Sequence, residues 1–167
     1  IPLAYGPNNR VTGTVIYYSG LQERKKKKSG SGGSTTTYSY SCSAAFALCE
    51  GVDGAFLKRV WANKKVIWPE VDLNWEEELL TDGLLGGESV EGDRNGKMFE
   101  SITFYDGNAA QLPDATLESY LGVGEVPAYR NICSVVVKNI QLADFGPSLP
   151  QFEFEFGTHV TIGPDEV

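Results

Sequence analysis

Residues 128–156 read AYRNICSVVVKNIQLADFGPSLPQFEFEF, and the last five of them, Phe152-Glu153-Phe154-Glu155-Phe156, decide the fold class. Side chains alternate faces along a strand, so three phenylalanines fall on one side and two carboxylates on the other. This is a β-strand with one buried and one wet face. Ile132 to Ile140 supplies a second strand, and Pro147 and Pro150 lie in the connection, where a missing N–H breaks no ladder. Working outward, most other apolar runs carry the same period. Tyr38, Tyr40, Cys42, Ala44 and Phe46 alternate with Ser39, Ser41, Ser43, Ala45 and Ala47, predicting a half-buried strand that ends at Cys49-Glu50-Gly51.

Val11 to Tyr18, rich in β-branched and aromatic residues after the turn-forming Gly6-Pro7-Asn8-Asn9, reads as one strand. Phe56 to Trp68 reads as a hairpin centred on Asn63-Lys64, because asparagine tolerates the left-handed backbone of a tight turn. Met98 to Tyr105 is strand-like and closes at Asp106-Gly107. Pro113-Asp114 opens the clearest helix: Asp114 caps it, Leu117, Tyr120 and Leu121 share a face, and Gly122 ends it. Asn74-Trp75-Glu76-Glu77 has capping-box spacing for a further short turn. Residues 22–37, QERKKKKSGSGGSTTT, contain no apolar side chain and read as a flexible loop; residues 83–97, with five glycines, read as an exposed loop. The expectation is a mainly β (α+β) unit spanning 1–167: a small β-barrel or sandwich, one short helix packed against it, and a long flexible loop.

The chain has 167 residues, with 14 basic and 22 acidic side chains, a net charge of -8 that argues against a domain built to hold phosphates tightly. No apolar run is long enough to span a bilayer, and IPLAYGPNNR lacks the basic flank and apolar stretch of a signal peptide. The start at Ile1, without an initiating methionine, reads as the edge of a piece of a longer protein. Three cysteines, Cys42, Cys49 and Cys133, with no C-x-x-C spacing, suggest neither a disulfide framework nor a zinc knuckle; Cys42 and Cys133, inside strand-like runs, read as small buried hydrophobes, and a reducing cytoplasm is the compatible setting.

Motifs for chemistry are weak. His159, the one histidine, has no nucleophile motif beside it. Glu76 to Glu78 and the Glu153/Glu155 pair could supply the two carboxylates of a glycosidase, yet only burial would raise a pKa into a range useful for glycoside hydrolysis. Glu91, Asp93, Asn95 and Gly96 match four positions of a calcium loop, but Ile102 stands where a bidentate glutamate is required. Lys25, Lys26, Lys27 and Lys28 can touch an anionic surface or stay hydrated, and Gly30, Gly32 and Gly33 lack the Lys-Ser/Thr of a phosphate loop. Trp61, Trp68 and Trp75 stand seven residues apart; Trp61 and Trp68 are expected to face each other across the hairpin, in the core or at a subunit interface. The expectation is no enzyme, no cofactor and no metal.

Four segments in order resemble the tail-tip (baseplate hub) family of long-tailed phages and gene transfer agents: IPLAYGPNNRVTGTVIYYS at the start, YSYSCSAAFALCEG at 38–51, ITFYDGNAAQLPDATLESYLG at 102–122, and VPAYRNICSVVVKNIQLADFGPSLPQFEFEF at 126–156. The resemblance rests on Pro2, Tyr5, Gly6, Arg10 and Gly13; the Tyr-Ser-Tyr-Ser run and Cys49-Glu50-Gly51; Gln111, Pro113 and Asp114; and Ala128-Tyr129-Arg130 with Leu142-Ala143-Asp144-Phe145-Gly146. The chain departs from the family pattern at Val52, where proline is common, and at Asn63-Lys64, where Asp-Gly is common. The resemblance implies a virion structural protein at the tail tip, trimeric, that closes the distal tail tube and joins it to the host-contacting fibre, of which this chain is one domain.

It implies as partners other copies of the chain, neighbouring tail proteins such as the distal tail protein and central fibre, DNA as passing cargo, and the host surface through other parts of the longer protein. Glu153 and Glu155, or the acidic 76–93 region, would then face the channel and repel phosphate. A host-surface adhesin using the lysine run, and a tail-associated cell-wall hydrolase, are the alternatives.

Overall fold

The structure, a computed structural model, describes residues 9–69, 83–92, 98–143 and 145–158. Two antiparallel sheets face each other across a shared apolar core. The first contains β1 (Asn9–Thr12), β5 (Ala55–Ala62), β6 (Lys65–Trp68), β7 (Leu84–Leu85) and β11 (Phe152–Thr158), in the order β1-β11-β5-β6 with β7 also on β5. The second contains β2 (Thr14–Tyr18), β3 (Gln22–Gly30), β4 (Gly33–Glu50), β8 (Ser89–Glu91), β9 (Ser101–Tyr105) and β10 (Ile132–Gln141), in the order β2-β4-β10-β9-β8 with β3 also on β4. This is the sandwich form of the expected architecture.

The alternation in 152–156 does what its period requires. Phe152, Phe154 and Phe156 are buried, and Glu153 and Glu155 lie on the outer face. Phe46 of the second sheet packs on the first two, with ring centroids 4.8 Å from Phe152 and 5.1 Å from Phe154. Such tilted aromatic contacts add to the area they bury. Leu57, Val60, Ile102, Phe104, Val135 and Val137 complete the same core.

One helix, α1 (Ala115–Leu121), lies among the described residues, on the outer face of the second sheet, where Leu117 and Val126 cover Ala45 and Val136. Asp114 caps it by accepting from the Leu117 N–H at 2.9 Å, and Gly122, at φ 109°, ends it. β4 is therefore buried on both faces from Cys42 to Phe46, which Ser43 tolerates by hydrogen bonding to the Tyr120 hydroxyl and accepting from the Asn139 N–H.

Four local expectations change. Val11 to Tyr18 is not one strand: the chain crosses from the first sheet to the second at Gly13, whose added Cβ would lie 2.8 Å from both the Phe154 ring and Phe46. Residues 22–37 are not coil; they pair residue for residue from Gln22↔Ser41 to Gly30↔Gly33, because backbone pairing needs no apolar side chain once β4 serves as the template. The stretch 83–97 is not wholly loop, since Leu84–Leu85 and Ser89–Glu91 pair with β5 and β9. Trp61 and Trp68 do not face each other: a bulge pairs Val60 with Trp68 and Trp61 with Val66, which leaves Trp68 packed against the core and Trp61 on the opposite face. The Asn63-Lys64 turn holds as expected, with φ of 47° and 68°, the two positive values of a type I′ hairpin.

Candidate functional site

Two surfaces collect the charged and aromatic residues singled out in the sequence. The first is the arm formed by β3 and the outer half of β4. β2 and β3 lie one after the other along the same edge of β4, and beyond Gln22 the paired strands leave the body of the sandwich. Nine residues per strand span roughly 30 Å. Nearly every residue of the arm is exposed, from Leu21 to Tyr40.

Lys25, Lys26, Lys27 and Lys28 sit within β3, so the period of two sends Lys25 and Lys27 to one face and Lys26 and Lys28 to the other. Register places Tyr38 opposite Lys25 and Tyr40 opposite Glu23. The Lys25 ammonium stands 5.6 Å from the Tyr38 ring centroid, and the Tyr40 hydroxyl donates to the Glu23 carboxylate at 3.1 Å. Tyr38 and Tyr40 continue, into solvent, the face that Cys42, Ala44 and Phe46 bury in the core. Their place beside the lysines was hidden in the sequence because it arises across strands; the cue was the unbroken alternation from Tyr38 into Phe46.

Charge is partitioned with the fold. Residues 22–41 carry five basic side chains and one acidic one, leaving nine basic against 21 acidic residues in the rest of the chain. The arm is thus a positive projection from a strongly acidic protein.

The second surface is the outer face of the first sheet, where β1, β11 and β5 bring Arg10, Glu153, Glu155, Arg59 and Trp61 together. Arg10 donates to Glu153 at 2.9 Å, and Arg59 lies 4.0 Å from Glu155. The same two guanidinium groups flank the Trp61 ring at 4.0 and 5.6 Å from its centroid, which accounts for the low exposure of this tryptophan outside the core. Glu153 and Glu155 are consequently paired carboxylates. A face balanced in this way repels phosphate far less than bare acids would.

Trp75, Glu76 to Glu78, Asp93, Asn95, Gly96 and His159 lie outside the described residues. Among the described residues no group of three or more His, Cys, Asp or Glu side chains is placed to hold a metal ion, and no helix is long and apolar enough to cross a membrane. Between α1 and the second sheet, Tyr105, Asp114, Leu117 and Tyr129 help line a niche of about 10 Å³, room for about one water. Within it the Tyr105 hydroxyl donates to Asp114 at 2.6 Å, and burial, then the Asp114 carboxylate, pushes the phenol pKa well above its ordinary value.

A second polar cluster fastens the loops below the niche. Gln111 accepts from the Gly107 N–H at 2.8 Å and donates to the Ala128 and Tyr129 carbonyls at 2.6 and 3.2 Å, while Arg130 donates to the Gln111 carbonyl at 3.1 Å. Gln111 and the 128–130 turn, both part of the resemblance above, are thus one structural clip, with Tyr129 held at φ 49°.

No family model matches the chain, and comparison with curated proteins finds no significant match. Among solved structures the chain is similar to a chain of the virion of a native gene transfer agent particle, with 27% identity over 97% of this chain and a TM-score of 0.54. The chain spans 28% of the length of that protein.

Proposed function

We propose that this chain is a structural domain of a tail-tip hub, acting by assembly with other copies of itself and with neighbouring tail proteins, and carrying out no reaction of its own. The carrying observation is the similarity along 97% of the chain to a protein of a gene transfer agent virion. The two surfaces support it. A basic arm on an acidic body gives copies and neighbours complementary charge, and an arm of paired strands has backbone edges open to further pairing. In the assembled tip, a trimer closing the distal tube, the Glu153/Glu155 face lines or rims the DNA path with its charge damped by Arg10 and Arg59, so that passing phosphate is neither gripped nor strongly repelled.

The test is localisation. Gold-labelled antibody against residues 9–158 should decorate the distal tail end of intact particles carrying the protein; label on the capsid or along the tail shaft would overturn the hub assignment. A host-surface adhesin is the second reading, favoured by Tyr38 and Tyr40 standing exposed beside the lysines on a projecting arm. Deleting residues 24–34 separates the two. Loss of tail-tip assembly supports the hub reading, whereas complete tails that no longer adsorb support the adhesin.

A further inference from the structure

Two of the three cysteines, 84 positions apart in the chain, are brought face to face by the second sheet: Cys49, next to last in β4, is the register partner of Cys133, second in β10. We propose that Cys49 and Cys133 are a latent disulfide site, joined covalently when the protein meets a small-molecule disulfide. Register partners in an antiparallel pair have Cα atoms about 4.5–5.5 Å apart, within the range a disulfide spans. Both side chains are buried in the same core cluster, so both point to one face of the sheet. The proposal is independent of the role in the virion.

The local chemistry favours one order of events. The interaction between the two thiols holds Cys49 below its ordinary pKa, while that same interaction and burial push Cys133 up. In the reduced protein the Cys133 thiol donates its proton to the Asp106 carbonyl at 3.4 Å. Position makes Cys49 the first to attack, since it adjoins exposed Glu50 at the end of β4, and the direction of its pKa shift agrees. The Cys49 thiolate displaces one thiolate from the reagent and forms a mixed disulfide; Cys133, giving up its proton, then attacks the Cys49 sulfur and displaces the second thiolate. Two protein thiols become one S–S bond, and the reagent leaves as two reduced thiols.

Access comes from position. The pair lies one rung from the ends of β4 and β10, beside exposed Glu50, and strand ends open at lower free energy than strand centres. Cys42 is the internal control, because its partner across β10 is Ile140.

The experiment is incubation of the 167-residue chain with oxidised glutathione, followed by denaturing alkylation without reductant. One alkylatable thiol in place of three, a mass lower by two hydrogens, and a peptide map linking Cys49 to Cys133 are expected. Cys42→Ser should form the same link, and the oxidised protein should melt at a higher temperature than the reduced form. Three free thiols after incubation up to the onset of melting, a persistent glutathione adduct, or a link through Cys42 would overturn the proposal. Peptide mapping of the unmodified sequence carries the result, so it does not depend on whether Cys49→Ser folds.

Discussion

The Phe46 and Phe154 rings meet across the two sheets with centroids 5.1 Å apart, and Gly13, the single residue joining β1 to β2, is wedged against both. The corner of the sandwich exists because one residue there has no side chain. Gly13→Ala would put a Cβ 2.8 Å from the Phe154 ring and from the Phe46 Cβ. Overpacking of this kind costs about 1–3 kcal/mol. Urea titration should show that loss, while Gly32→Ala at the arm tip, with nothing within 4 Å of the new Cβ, should change stability by less than about 0.5 kcal/mol. Equal midpoints for the two variants would contradict this packing.

Gln111 serves three backbone partners through one side chain. In Gln111→Ala the Gly107 N–H and the Ala128 carbonyl lose that partner, while the Tyr129 carbonyl keeps the Ile132 N–H, and a buried polar group left unpaired costs about 1–3 kcal/mol. The expected outcome is a drop in thermal stability, with faster amide exchange at Gly107. An unchanged exchange rate there would show the clip to be dispensable.

Tyr105 links stability to alkaline pH. Its folded pKa is raised, so the native state holds the phenolic proton more tightly than the unfolded chain; the resulting stability is complete below the unfolded value of about 10 and lost as pH rises above it. Unfolding free energy should therefore fall more steeply above pH 10 for the natural sequence than for Tyr105→Phe. Near neutral pH the variant should be less stable by about 1.5–3 kcal/mol, since Asp114 loses its hydroxyl donor. Parallel pH curves for the two proteins would remove Tyr105 from the account.

On the outer face of the first sheet, burial and charge predict unequal effects. Glu153→Gln weakens a bridge to an arginine whose side chain is 47% exposed, and should cost less than about 1 kcal/mol. Trp61→Ala removes a buried ring that two guanidinium groups cover, and should cost about 3–5 kcal/mol. Differential scanning calorimetry of both variants checks the order, and a larger loss in Glu153→Gln would reverse it.

What could be read from the chain depended on whether the deciding physics was local. The phenylalanine–glutamate alternation in 152–156, the turn at Asn63-Lys64 and the helix from Asp114 to Gly122 are short-range: strand period, positive φ and capping act within a few residues, and each stands where the sequence predicts it. The candidate surfaces were legible as lists of residues. Their arrangement was not, because Lys25 meets Tyr38, and Arg10 reaches Glu153 and Trp61, only through strand pairing.

The sequence by itself determined a strand-dominated protein with one short capped helix, since side-chain periodicity and backbone preference are properties of the chain alone. Tertiary structure decided the rest: that Gly13 turns one apolar run into strands of two sheets, that a lysine-rich segment without apolar residues is a paired arm, that Trp61 and Trp68 part to opposite faces, and that Cys49 lies opposite Cys133. Register and bulges fix all four, and they are set by which strands meet across the core, a choice made by the whole chain at once.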